Sequence, residues 1–294
     1  MPLIITNGTI SAKSYGFGLQ IAAGPDGTTA YITGTGSFGT VMKYTYATCS
    51  VVNGTSLGSS SYGCTAMGNS TVGIFNFQGG PARKKYTYVG CSVTSATAAS
   101  VTAVKGGASA NCSVGISGYG YLACSGCHTS AGSLKYTFSG DVSANGSCLT
   151  YAAGGRSAAG NKTKGVFSGG VTYPGCSFVN YRSVYTYSGC SVTSGTSINC
   201  GNFSNGGATG NKTVGIFQLG ISPCSSYRPT QNRNKYIYAS CTSSTTTISS
   251  QQSRCTAAAG NGTIGIFAIT CNGGNSTVTN KYTYASDTNT TGGN

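Results

Sequence analysis

The stretch Thr256-Ala-Ala-Ala-Gly-Asn-Gly-Thr-Ile-Gly-Ile-Phe267, followed by Lys281-Tyr-Thr-Tyr284, is one full copy of a pattern that runs along the chain. Tyr282 and Tyr284 alternate with Thr283, which puts both rings on one face of a strand. Asn261-Gly262 is a tight-turn dipeptide leading into Gly-Ile-Phe. Gly265 in the interior of that strand marks a place where another backbone or side chain comes close. Because repeat units crowd together near a common axis, we expect the Gly-Ile-Phe strand to be the innermost one.

The aromatic alternation recurs at Lys43-Tyr-Thr-Tyr, Lys85-Tyr-Thr-Tyr, Lys135-Tyr-Thr-Phe, Val184-Tyr-Thr-Tyr and Lys235-Tyr-Ile-Tyr. The turn and following strand, Asn-x-Thr/Ser-x-Gly-Ile-Phe with small variations, begin at Asn69, Asn111, Asn161, Asn211 and Asn261, with a weaker copy at Asp26. Spacings of roughly 42 to 51 residues are those of a solenoid, a propeller or an array. Residues 1–42 hold an Ala-rich segment (Ala22-Ala-Gly24) and the Asp26 copy but no preceding tyrosine motif, and residues 281–294 hold an orphan one. An open solenoid needs polar capping repeats, whereas joining these two ends makes one whole unit and removes the exposed edges. The expectation is an all-β, six-bladed propeller over residues 1–294 as one domain, closed by pairing of the N- and C-terminal segments. Its blades are a split one (1–42 plus 281–294) and about 43–84, 85–134, 135–183, 184–234 and 235–280.

Composition narrows the chemistry. Only 7% of residues are charged, yet the net charge is +14, because the only acids are Asp26, Asp141 and Asp287. His128 is the single histidine. A carboxylate pair would have to come from three acids, and a Ser-His-acid relay would have to use His128. A site of several histidines is impossible. We therefore expect no enzyme, cofactor or metal. No run of about eighteen apolar residues is present, so membrane insertion is not expected. Met1-Pro-Leu-Ile-Ile lacks the basic and apolar regions of a Sec-type signal. Many Asn-x-Ser/Thr sequons occur, and those in the repeated turn are read as turn residues rather than glycan carriers.

The positives recur in register. Lys43, Lys85, Lys135, Lys235 and Lys281 open five tyrosine motifs, and Arg83 and Lys84 add to one of them. On blades, these lysines would form a basic ring that attracts polyanions such as acidic polysaccharide or lipopolysaccharide. The alternative is a set of solvated strand-end lysines that keep edges from pairing. Nucleic acid is set aside, since the tyrosines serve as readily for packing as for base stacking.

Fourteen cysteines exceed the usage of a reduced cytosolic protein. Cys49, Cys91, Cys190 and Cys241 each stand six residues after a motif start and are followed by Cys64, Cys112, Cys200 and Cys255. Bridges within the blade (Cys49–Cys64, Cys91–Cys112, Cys190–Cys200, Cys241–Cys255) are the simplest reading, at roughly 2–4 kcal/mol each. Asp141 and Asp287 take the equivalent place in the other two units. Pairing of Cys124, Cys127, Cys148, Cys176, Cys224 and Cys271 stays open. Cys124-Ser-Gly-Cys127-His128 matches a c-type haem attachment pattern; a local cysteine-rich loop is the competing reading.

The aromatic strand, a basic residue (Arg156, Arg254 or Lys13) before an Ala-rich strand, then Gly-Ile-Phe and the double glycines Gly79-Gly80 and Gly169-Gly170 resemble kelch-type propeller repeats. The opening Thr6-Asn-Gly-Thr-Ile-Ser-Ala-Lys-Ser-Tyr-Gly-Phe-Gly18 resembles segments of tailed-phage structural proteins. These resemblances imply a kelch-like propeller acting as a non-enzymatic structural or binding protein of a phage virion, in a tail, a fibre or attached to the capsid. Its partners would be other virion proteins, host-surface polysaccharide or lipopolysaccharide, and further copies of itself. The alternative is a secreted or surface adhesin of lectin type, extracellular and binding anionic glycans. A kelch-like copper oxidase would need several histidines, which this chain lacks.

Overall fold

The computed structural model describes residues 9–12, 20–23, 29–33, 41–58, 64–68, 71–77, 83–96, 109–111, 119–123, 131–153, 156–161, 163–172, 177–198, 206–222, 228–252, 255–270 and 279–292. All regular structure among them is β. After β1 (Thr9–Ala12) the first unit comprises β2 (Gln20–Ala23), β3 (Thr29–Thr33), β4 (Val41–Thr45) and β5 (Ser50–Asn53). The second comprises β6 (Cys64–Gly68), β7 (Val72–Phe77), β8 (Arg83–Thr87) and β9 (Ser92–Ala96). The third comprises β10 (Ser109–Asn111), β11 (Tyr119–Ala123), β12 (Ser133–Thr137) and β13 (Val142–Gly146).

In the fourth, β14 (Ser157–Gly160) and β15 (Lys164–Ser168) are followed by a short ribbon, β16 (Val171–Thr172) with β17 (Ser177–Phe178), and then β18 (Arg182–Thr186) and β19 (Ser191–Gly195). The fifth repeats this plan with β20 (Gly207–Gly210), β21 (Val214–Gln218), β22 (Ile221–Ser222), β23 (Arg228–Pro229), β24 (Arg233–Ile237) and β25 (Thr242–Thr245). The last comprises β26 (Cys255–Gly260), β27 (Ile264–Thr270), β28 (Thr279–Thr283) and β29 (Thr288–Thr291).

Apart from the two ribbons, the described strands form five sheets rather than the expected six: four of four strands and one of nine, all antiparallel. The nine-stranded sheet arises because β1 pairs with β26 from Thr9↔Gly260 to Ala12↔Ala257 and also meets β20 at Ala12↔Gly207, splicing two four-stranded arms. β1 also contacts β2, β6, β10 and β14, so it lies among the first strands of all the units.

Two further expectations change. The Ala-rich strand, not the Gly-Ile-Phe strand, comes first in each unit, and the first strands of successive units touch one another, β26 with β2 included. Small residues stand where backbones converge. The tyrosine motif is then the third strand, so residues 20–53 already contain a full four-stranded unit. Among the described strands, β28 accordingly pairs with β27 and β29 and not with an N-terminal strand.

The tyrosine alternation folds as its period dictates. Each pair, from Tyr44/Tyr46 to Tyr282/Tyr284, is buried on one face with ring centroids 5.3 to 6.4 Å apart. That face packs on the preceding unit: Tyr236 and Tyr238 on Ala159, Val166 and Val184, and Tyr282 and Tyr284 on Val214 and Ile216. Tyr44 and Tyr46 of the first unit pack on Ala259, Ile266 and Ala268 of the last. Full burial of such a ring contributes about 1.5–3 kcal/mol.

The strand glycines make room for these rings. A Cβ at Gly265 would lie 2.6 Å from Thr209 Cγ2 and 2.9 Å from Tyr284 Oη. The repeated asparagine closes the turn before this strand. Asn161 Oδ1 accepts from Thr163 N and Lys164 N, both at 2.9 Å, while its Nδ2 donates to the Lys212 carbonyl of the next unit at 3.0 Å. The described turn asparagines therefore have structural work for their side chains. Gly265→Ala is expected to destabilise the protein by about 1–3 kcal/mol through overpacking. The urea midpoint checks this, and adding Tyr284→Phe should recover part of the loss.

Candidate functional site

The third strand has a second face, which looks towards the following unit. Three arginines stand there, each three residues before the first tyrosine of its motif, and all are at most 2% exposed. Arg83 lies over the Tyr136 ring (5.5 Å) and donates to Ser143 Oγ at 3.1 Å. Arg182 lies 5.0 Å from the centroids of Phe217 and Tyr236. Its Nε donates to Ser168 Oγ at 2.8 Å, its Nη1 to Ser243 Oγ at 2.7 Å, and its Nη2 to Asn234 Oδ1. Arg233 lies 4.4 Å from the Phe267 centroid and donates to Gln218 Oε1 at 2.6 Å and Asn289 Oδ1 at 2.8 Å. Burial pushes the Arg233 guanidinium down, to about 9, so it remains charged at neutral pH. Aromatic faces, hydroxyls and neutral amides hold these cations.

The proposed basic ring is therefore only partly a surface feature. Arg83 is a buried inter-unit contact, a correction that follows from its place on the packed face of β8. Lys84 is half-buried, with Nζ 3.5 Å from Ser95 Oγ. Lys43, Lys85, Lys135, Lys235 and Lys281 share one register position, opposite Tyr31, Ile74, Tyr121, Ile216 and Ile266, and all are half-buried. Lys235 reaches across to the next unit and pairs with Asp287 at 3.1 Å. The arginines could have been found in the sequence, since Arg83, Arg182 and Arg233 recur at one offset in a chain with few charges.

The disulfide expectation is also corrected: Cys49, Cys91, Cys190 and Cys241 carry free thiols, as does Cys148. Cys49 and Cys241 close the turn between the third and fourth strands, whereas Cys64 and Cys255 open a first strand. In an antiparallel unit those two places are at opposite ends of the strands, beyond the reach of a bridge. Cys112 and Cys200 lie outside the described residues, as do Cys124, Cys127, His128, Cys176, Cys224, Cys271 and Asp26. Among the described residues no group of three metal-ligating side chains occurs.

The strand ends opposite those turns hold a cleft of about 300 Å³ between the third and fourth units, lined by Thr150, Tyr151, Tyr181, Arg182, Ser194 and Ser197. Tyr151 and Tyr181 meet edge to face at 5.7 Å, and Tyr181 is 52% exposed, so its ring is free to receive a ligand. Tyr151 Oη donates to the Tyr181 carbonyl at 2.9 Å, and Arg156 lies 4.7 Å from the Tyr151 centroid, bracing that ring from behind. Burial pushes the Tyr151 phenol up to about 12 against the opposing pull of Arg156, so it stays neutral. Arg182, whose guanidinium is hydrogen-bonded to Ser168, Thr196, Ser243 and Asn234, is among the residues that border the cleft. An aromatic wall and hydroxyls suit a polar, ring-shaped ligand, and the net charge of +14 favours an anionic one. Sequence reading missed this cleft because its tyrosines lie outside the repeated motif.

No family model matches the chain, and no curated protein sequence matches it. Among solved structures it is similar to one described as the structure of YjhT, with a TM-score of 0.66, 12% identity, and coverage of 99% of this chain and 98% of that one. At that identity the likeness bears on fold alone. The chain is a β-propeller. The two described acids of this propeller both sit in turns: Asp141 accepts from Tyr136 Oη, and Asp287 from Tyr282 Oη, Thr246 Oγ1 and Lys235 Nζ.

Burial alone would raise the Asp287 carboxyl, but these three donors outweigh it and hold it below its ordinary value. The contribution of Asp287 to stability is thus complete above about pH 4–5 and is lost as pH falls through the folded-state value. Asp287→Asn is expected to flatten the acid limb of the stability–pH curve and leave the neutral region level, as read by denaturant titrations across pH.

Proposed function

We propose that this propeller is a non-enzymatic attachment protein that binds acidic surface polysaccharide through the Tyr151–Tyr181 cleft. The observation that carries the reading is the exposed Tyr181 side chain in a cleft bordered by serine and threonine. A tyrosine face stacks on the apolar side of a sugar, and a strongly basic protein favours a carboxylate or phosphate on it. The net charge of +14 supports capture of such a polymer from a distance. The positions of Asp141 and Asp287 in turn hydrogen bonds support a binding role over acid–base chemistry.

The setting we propose is a phage virion, with the cleft presented to a host surface. It rests on the low-charge, cysteine-rich repeats and on the opening segment of the sequence. Finding the protein absent from purified particles by mass spectrometry would remove the virion setting and leave a secreted, lectin-like adhesin. On a glycan array, binding to acidic glycans should fall steeply with added salt. Tyr181→Ala should abolish it while the melting temperature stays within about 2 °C, as for an exposed side chain. Salt-independent binding, or unchanged binding by the variant, overturns the reading.

For the architecture we infer six blades, counting each arm of the nine-stranded sheet as one, in a closed, degenerate kelch-like ring. In support, β1 contacts the first strand of every unit, and Tyr44 and Tyr46 pack on Ala259 and Ile266. Gly169-Gly170, the described double glycine, takes φ of 68° and 117°, as a double-glycine turn requires. An experimental density map with five blades, or with a gap beside Tyr46, would overturn the count.

A further inference from the structure

Each turn after a tyrosine pair ends in a residue of left-handed backbone that is not glycine: Cys49, Cys91, Asp141, Cys190, Cys241 and Asp287, with φ between 46° and 56°. The structure thus uses a thiol and a carboxylate interchangeably at one place. In the last unit the place is built for an anion, since Asp287 receives the Tyr282 hydroxyl and the Lys235 ammonium. In the fifth unit Cys241 stands there. Its thiol lies 3.7 Å from the Tyr238 carbonyl, and Lys164 of the preceding unit reaches over with Nζ 3.4 Å from the sulfur. Cys241 is also partly open to solvent.

The neighbouring Tyr236 side chain lowers the thiol pKa, burial opposes it, and the Lys164 hydrogen bond and charge add to the lowering, so the net direction is downward. A thiolate, not a thiol, is the nucleophile in exchange with disulfides.

We propose that Cys241, with Lys164 as its charge-stabilising partner, is a thiol-modification site that takes small-molecule disulfides of the glutathione type. The Cys241 thiolate attacks one sulfur of the disulfide, a new S–S bond forms as the old one breaks, and the displaced thiolate leaves and takes a proton from water. The Cys241 sulfur is oxidised, the leaving sulfur is reduced, and atoms and charge balance. This inference is independent of the cleft and of its glycan.

The test uses the whole folded chain, with iodoacetamide over a range of pH and site-by-site mass spectrometry. Cys241 should be alkylated roughly threefold or more faster at neutral pH than Cys49, Cys91 and Cys190. Oxidised glutathione should add there first. Lys164→Met should shift the Cys241 rate–pH curve upward, with circular dichroism to confirm folding. Cys241→Asp, which copies the residue at position 287, should stay folded and remove the adduct. Reaction of Cys241 in step with the other three thiols in the unaltered protein overturns the proposal. So does an unshifted curve in the folded Lys164→Met variant.

Discussion

The structure depends on burial of the tyrosine pair of each third strand against the unit before it. A period-two strand has two faces, and in this protein neither is left to solvent. One carries the rings, and the other carries lysine or arginine towards the unit that follows. Each third strand therefore joins three units. The glycines of the second strand are a consequence, because a methyl group at Gly265 would occupy the space of the Tyr284 hydroxyl and the Thr209 side chain. The Ala-rich first strands follow the same logic, since they lie where neighbouring units approach most closely.

The charge imbalance has a structural side. With three acids against seventeen lysines and arginines, few inter-unit cations can pair with a carboxylate as Lys235 does with Asp287. Arg83, Arg182 and Arg233 are held instead by ring faces and by serine, asparagine and glutamine oxygens. Such neutral partners do not cancel the charge, so the positive field persists outside the protein. Arg182 packs its guanidinium against the next unit and is also among the residues that border the Tyr151–Tyr181 cleft. Architecture and proposed binding thus draw on the same residue.

The turn residues link fold to reactivity. A left-handed residue is required where the third strand reverses into the fourth, and in the third and last units the first tyrosine of the motif donates its hydroxyl to that residue. An acceptor side chain suits the place, which is why aspartate and cysteine alternate there. The regular cysteine spacing in the sequence reflects this turn and not a framework of bridges. A thiol kept free at the turn retains its chemistry, and the lysine beside Cys241 adds to it.

The sequence by itself determined the all-β class, the repeat, the shared face of Tyr282 and Tyr284, the turn role of Asn161 and the close approach at Gly265. All of these follow from periodicity and backbone chemistry within a few residues. Only the tertiary structure decided the rest: that the Ala-rich strand leads each unit, that β1 runs among the first strands, that Arg83 is buried, and that Cys49 and Cys64 open opposite ends of strands. The cleft belongs there too, because Tyr151 and Tyr181 are thirty positions apart and meet only through the packing of two units. A local pattern records which face a side chain takes, but the neighbour that face will meet is set by how whole units stack.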